Sequence, residues 1–215
     1  MNGSPRTLLD PRLYLVLDPT VMRGKPVEQI LEDAVRGGVT VVQVREKHCS
    51  NSDFLGLARR AAAVLKRLSI PLILNDRVDA VLELEVQGVH LGQSDLHWSE
   101  ARRKLGPEAI IGISVENFFQ ATELVGADVD YLGVSSVFPT ATKKDVAEVW
   151  GLERLAQLRK QSHFPLVGIG GIDATNAQSV MAAGANGIAV VSAICAAPSP
   201  RKAAMELRQI VERAG

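Results

Sequence analysis

The chain has 215 residues, 47% of them apolar, with 24 basic and 24 acidic residues in balance. That suits one domain around one sizeable core. The missing basic excess argues against nucleic acid as a partner, and no apolar stretch approaches the length that spans a bilayer.

From the N-terminus, Met1 to Pro11 is polar, lacks the apolar run of a signal peptide and reads as a loose extension. An alternation of short β-branched runs and longer helix-period segments then begins. Strands are predicted at 13–18, 41–46, 71–76, 88–93, 110–115, 131–138, 165–171 and 187–193. Helices are predicted at 26–36, 51–68, 77–86, 98–105, 117–126, 151–161, 173–183 and 199–213. Asn51, Ser99, Asn117 and Asp173 read as helix starts whose side chains accept early N–H groups. Gly37 and Gly184 stand where helices stop and tolerate left-handed dihedrals. Eight strand–helix units in a chain of this length predict an α/β fold, a single-domain (β/α)8 TIM barrel over 1–215. The alternative is an open doubly wound sheet; polar groups recurring at strand C-terminal ends favour the barrel. Cys49 and Cys195 lie far apart with no metal-ligand spacing, so a reducing cytoplasm is the expected setting.

The second strand carries most of the chemical signal. In Gln43-Val44-Arg45-Glu46-Lys47 the side chains alternate, so Gln43, Arg45 and Lys47 share one face, with Val42 and Val44 on the other. With the valines toward the helices, the polar face points into the barrel. Two cations and an amide are costly there unless they meet an anion; the other reading is a solvated strand end. Asn75-Asp76 closes the third strand and Asp95 follows the fourth, so the two carboxylates fall at the same end of adjacent strands. Mg²⁺ is commonly held by one or two carboxylates plus substrate phosphates; helix capping is the competing explanation. Gly112, Gly133, Gly168 and Gly170 mark either close ligand approach or relief of crowding, and Ser114 shares the parity of Gly112. Gly170-Gly171 and Val191-Ser192 end the seventh and eighth strands, where barrels frequently bind phosphate. The Thr/Lys-rich run from Phe138 to Asp145 suits phosphate oxygens or a mobile surface loop. His48, His97 and His163 read as loop or helix-start residues, His90 as a hydrogen-bonded core histidine, and Trp98 and Trp150 as packing residues.

In order, QVREK (43–47), NDRVD (75–79), GVHLGQSD (88–95), GISV (112–115), VFPTATKKD (137–145), GIGGI (168–172) and GIAVVSAI (187–194) resemble the thiamine phosphate synthase family over nearly the whole chain. The resemblance implies that Gln43, Val44, Arg45, Glu46 and Lys47, with Asn75 and Ser114, hold an aminopyrimidine diphosphate. It implies that Asp76 and Asp95 bind Mg²⁺, that Lys143 contacts the diphosphate, and that Thr140, Ala141, Thr142, Gly171, Val191 and Ser192 hold a thiazole phosphate. Arg45, Lys47, Ser114 and Lys143 then form the catalytic set. Four departures stand out. Val44 replaces a commoner Leu, GQSD replaces GQED with Asp95 kept, GVSS replaces a frequent Gly-Pro pair, and Ala147 to Trp150 replace a Pro-rich stretch.

The reaction implied is a dissociative alkyl transfer: the pyrimidine cation forms as diphosphate departs and is captured by the thiazole nitrogen. It needs no strong general base. A thiazole phosphate tautomerase, a non-catalytic thiamine phosphate-binding module and another phosphate-binding barrel enzyme are the rival readings. The expected partners are the two small-molecule substrates, with no nucleic acid and no membrane; self-association into a homo-oligomer stays open.

Overall fold

The computed structural model describes residues 9–140 and 149–214. Eight parallel strands close into a barrel in sequence order: β1 (Leu13–Leu17), β2 (Val41–Val44), β3 (Leu72–Asn75), β4 (Gly88–Leu91), β5 (Ile110–Val115), β6 (Tyr131–Ser135), β7 (Leu166–Ile169) and β8 (Gly187–Val190). β8 pairs with β1 through Leu13 opposite Ile188, so no strand edge is left open. Helices α1 (Val27–Arg36), α2 (Asn51–Leu68), α3 (Val78–Leu84), α4 (Trp98–Leu105), α5 (Phe118–Glu123), α6 (Gly151–Gln161), α7 (Ala177–Ala182), α8 (Ser192–Cys195) and α9 (Pro200–Ala214) form the outer layer. None of the described helices is long and apolar enough to cross a membrane.

The helices follow their apolar periodicity. Val27, Ile30, Leu31 and Ala34 bury one stripe of α1, and Phe54, Ala58, Ala61 and Leu65 bury one of α2. Strand parity separates two cores. Leu13, Leu15, Val42, Val44, Ile111 and Ile113 belong to the layer between strands and helices, whereas Tyr14, Val16, Val41, Ile73, Ile110, Tyr131, Val167 and Ala189 fill the lumen. Val44 thus faces the helices. So does Gly168, whose added Cβ would meet Val180, Val137 and Ile172; it makes room for helix packing, not for a ligand.

Several element ends differ from the sequence reading. β7 stops at Ile169 because Gly170 (φ +102°) and Gly171 (φ +63°) take left-handed dihedrals and form a turn. The expected strand over 187–193 divides into β8 and the short α8. Asp173 heads a turn by accepting from Thr175 N at 2.8 Å, and α7 starts only at Ala177. Ser50 and His97, not Asn51 and Ser99, cap α2 and α4, while Asn117 caps α5 as expected. Gly37 ends α1 with φ −85°, and the left-handed residue is Gly38.

Candidate active site

The strand C-terminal ends surround a cavity of about 520 Å³, within the range of small-molecule sites. Its floor is polar because β2, β4 and β5 place Gln43, His90 and Ser114 in the lumen, above a lower apolar plug that includes Val41 and Ile110. Gln43 Nε2 donates to Tyr14 Oη at 3.0 Å, and Tyr14 Oη lies 2.8 Å from Tyr131 Oη. Tyr131 Oη is 2.9 Å from His90 Nδ1, and His90 Nε2 is 2.8 Å from Ser114 Oγ. Burial holds the ionisation of both phenols well above the usual tyrosine range, so they remain neutral hydroxyls. Gly112 and Gly133 make the space: a Cβ at Gly112 would overlap the hydroxyl end of the Tyr131 ring at Cζ, and one at Gly133 would press on His90. Relief of crowding accounts for Gly112, and for Gly133 it acts beside a place in the cavity lining.

The rim carries charge. Arg45, one residue past β2, reaches back to Asp18, with Nη1 2.9 Å from Oδ2. Asp18 is buried and also accepts from Thr20 N at 3.0 Å and Thr20 Oγ1 at 2.6 Å. This pairing keeps the guanidinium at the cavity edge. Asp18→Asn should destabilise the fold by about 2–3 kcal/mol, because it leaves a partly buried cation without its counter-charge. It should also raise KM for an anionic substrate more than it lowers kcat. Urea denaturation and steady-state kinetics read both effects; unchanged stability would show that Asp18 does not hold Arg45.

Lys47 Nζ lies 3.3 Å from Asp76 Oδ2. Asp76 sits in the left-handed region (φ +64°), where Asp is among the few side chains tolerated. Asp95 anchors its own loop by accepting from Gly92 N at 2.6 Å. The two carboxyls face each other within hydrogen-bonding reach. Burial, then the Asp95 carboxyl, push Asp76 up to about 6, against the pull of Lys47. For Asp95, burial acts upward but is outweighed by hydrogen bonds from Asp76 and the Gly92 N–H and by the charge of Lys47, so it lies low. The pair therefore keeps a shared proton up to about pH 6, as two neighbouring carboxylates do when ionising both brings like charges together. Among the described residues no cluster of three or more His, Cys, Asp or Glu forms a complete metal cage. The donor set fits a hard, oxygen-seeking cation that takes its other ligands from phosphate and water.

On the opposite side the cavity is lined by Gly170, Gly171, Val191 and Ser192, with Thr140 at the end of the described β6 loop. The structure thus brings Gln43, Arg45, Lys47, Asn75, Asp76, Ser114, Thr140, Gly171, Val191 and Ser192 to one cavity. Asp95 joins through its contact with Asp76. Val44 lies in the outer core, and Glu46 turns away, accepting from His48 N at 2.8 Å and lining a separate groove beside Cys49. Ala141, Thr142 and Lys143 lie outside the described residues. Sequence reasoning missed Tyr14, Tyr131, Asp18 and Arg23 as cavity or supporting residues. The lumen parity of Tyr14 with Val16, and of Tyr131 with Gly133, was the available signal.

Residues 13–194 match the family model described as thiamine monophosphate synthase. The chain belongs to that family. A thiamine-phosphate synthase from Albidiferax ferrireducens is 49% identical over 201 residues, covering 94% of this chain and 92% of the relative. One from Clostridium novyi is 45% identical over 183 residues, covering 85% of this chain and 90% of the relative. Among solved structures, a thiamine phosphate pyrophosphorylase from Pyrococcus furiosus superposes with TM-score 0.86 at 35% identity, covering 96% of this chain and 98% of that one. As a member of the thiamine monophosphate synthase family, the chain is an enzyme of the transferase class and belongs to thiamine biosynthesis.

Proposed function

We propose that the cavity joins 4-amino-2-methyl-5-(hydroxymethyl)pyrimidine diphosphate to 4-methyl-5-(2-hydroxyethyl)thiazole phosphate, or its carboxylated tautomer, giving thiamine phosphate and diphosphate. One observation carries this reading. A single cavity has a hydrogen-bonding floor, a rim of Arg45, Lys47, Asp76 and Asp95 on one side, and a glycine turn with the β8 end on the other. That layout suits two anionic substrates whose rings meet over the floor. Gln43, Asn75 and Ser114 would orient the aminopyrimidine. Thr140, Gly171, Val191 and Ser192, with Ala141 and Thr142, would hold the thiazole phosphate.

In the proposed reaction the pyrimidine amino group feeds electron density into the ring. The C–O bond at the exocyclic CH₂ breaks with its electron pair leaving on diphosphate, and the thiazole nitrogen lone pair forms the new C–N bond. Arg45, Lys47 and Lys143 stabilise the charge that grows on the departing diphosphate. Asp76 and Asp95 would hold Mg²⁺, which adds positive charge beside the leaving group. Proximity of the two rings supplies much of the remaining acceleration. No side chain need abstract a proton, and His90, the nearest imidazole, has both nitrogens engaged. That speaks against the tautomerase alternative. Two free cysteines, one of them buried, support a cytoplasmic setting.

A coupling assay with both substrates, with and without Mg²⁺, tests the reaction. Thiamine phosphate and diphosphate should appear in equal amounts, and only with the metal present. Chelation should abolish turnover while circular dichroism stays unchanged. Product formed at full rate after chelation would sink the metal assignment, and no product from folded, Mg²⁺-loaded protein would sink the reaction. Lys143→Ala should lose about 10²-fold or more in kcat while remaining folded; full activity in that variant would remove Lys143 from the mechanism.

A further inference from the structure

Five side chains from five different strands form one hydrogen-bonded chain across the cavity floor, from Gln43 through Tyr14, Tyr131 and His90 to Ser114. We infer that this chain holds a single proton order, presenting a carbonyl acceptor at Gln43 and a hydroxyl donor at Ser114. The floor then selects a heterocycle carrying an amino donor near a ring-nitrogen acceptor over its oxo counterpart. The inference deepens the aminopyrimidine reading above and rests on it for the identity of the ligand.

The order follows from donor counting. Gln43 Nε2 can only donate, so Tyr14 Oη accepts. Tyr14 and Tyr131 are each about 1% exposed, so neither hydroxyl can give its proton to bulk water. If Tyr131 donated to Tyr14, the Tyr14 proton would be stranded in the lumen, a costly arrangement. Tyr14 therefore donates to Tyr131, and Tyr131 donates to His90 Nδ1. His90 is then neutral with its proton on Nε2, and that proton goes to Ser114 Oγ. Ser114, partly exposed and lining the cavity, keeps its own hydroxyl proton for whatever lies above it. Gln43, having turned its amide nitrogen to Tyr14, keeps its carbonyl oxygen for the same ligand.

The reverse order would present the opposite pattern, an amide donor at Gln43 and only lone pairs at Ser114. Chain polarity, and not merely the presence of Gln43 and Ser114, therefore sets which ring edge fits. Tyr14, Tyr131 and His90 are positioning residues acting through the two ends. The two rings are also fixed in place: His90 stacks on Tyr131 with centroids 5.5 Å apart, over the space left by Gly112 and Gly133.

Two readouts test the inference. In protein labelled with ¹⁵N-histidine, His90→Gln identifies the His90 signals among those of the four histidines. At neutral pH the parent should show a bare Nδ1 and a protonated Nε2, and Tyr131→Phe should give a mixture of tautomers. A parent with Nδ1 protonated and Nε2 bare overturns the proton order, whether or not any variant folds. The second readout compares the aminopyrimidine diphosphate with its 4-oxo analogue. The parent should prefer the amino substrate by about 10³-fold or more in kcat/KM. Tyr131→Phe should narrow that preference at least tenfold, mainly through KM of the amino substrate. Equal loss on both substrates would mean a structural role alone and would overturn the selection. If the parent turns over neither substrate, the synthase reading fails, and the nitrogen signals still decide the proton order.

Discussion

Asp76→Asn should cost about 10³-fold in turnover while making the metal-free protein more stable at pH 8. The first effect follows from removing one of two carboxylates proposed to hold the cation beside the leaving group. The second follows from the raised ionisation of Asp76. Its carboxyl titrates at about 6 in the fold against 3.8 as the reference value, so the folded state binds that proton more tightly than the unfolded chain. As pH rises from about 4 through 6 the parent must ionise a group that the fold prefers neutral, and stability falls over that window. Asn carries no charge and escapes the penalty. With about a quarter of the side chain exposed, solvent screening reduces the gain to about 1–2 kcal/mol. The gain should shrink as pH approaches 4. Asn also tolerates the left-handed backbone that Asp76 adopts (φ +64°), so the turn survives. Losing the half-exposed Lys47 contact subtracts little. Urea denaturation of both proteins at pH 8 and pH 4.5 reads the stability difference, and the coupling assay reads turnover. An Asn variant less stable than the parent at pH 8 would mean that the two carboxylates are not in conflict. Unimpaired turnover would remove Asp76 from the site.

Gly112→Ala should be the most damaging single methyl in the floor. The added Cβ would lie inside contact distance of Cζ, Cε1 and Oη of Tyr131, whose ring is fully buried and cannot swing aside. Overpacking of this kind costs about 3 kcal/mol. It also displaces the hydroxyl that links Tyr14 to His90. The variant should therefore lose stability and substrate affinity together. Removing the ring separates the two: Gly112→Ala combined with Tyr131→Leu should regain much of the stability and none of the substrate affinity. Thermal unfolding and steady-state kinetics on the parent, both single variants and the double variant complete the cycle. Additive stability losses in the double variant would show that the methyl and the ring do not compete for the same space.

Strand parity made part of this site legible in advance. Gln43, Arg45 and Lys47 were expected on one face because apolar Val42 and Val44 claim the other, and the barrel places them so. Ser114 followed Gly112 for the same reason. Asp76 and Asp95 were legible as neighbours because consecutive strands of a barrel lie side by side. Glu46 and Val44 sit within the same short motif, yet one turns to His48 and the other to the helix layer. A motif names a run of residues, whereas the pleat decides which of them face the lumen.

By itself the sequence determined the eight strand–helix alternations, the barrel class, the family and most of the polar residues at the strand ends. These depend on local periodicity and on short ordered motifs, which a linear reading contains. Only the tertiary structure decided that Tyr14 and Tyr131, 117 positions apart, share a hydrogen bond, and that Asp18 holds Arg45. The glycines at 112 and 133 likewise proved to make room for the Tyr131 and His90 rings, with Gly133 also lining the cavity. Closing the barrel brings strands distant in sequence to opposite sides of one lumen. There, buried polar groups must find partners or carry an unpaired cost. Which partner each one finds is fixed by that closure, and no local pattern in the chain records it.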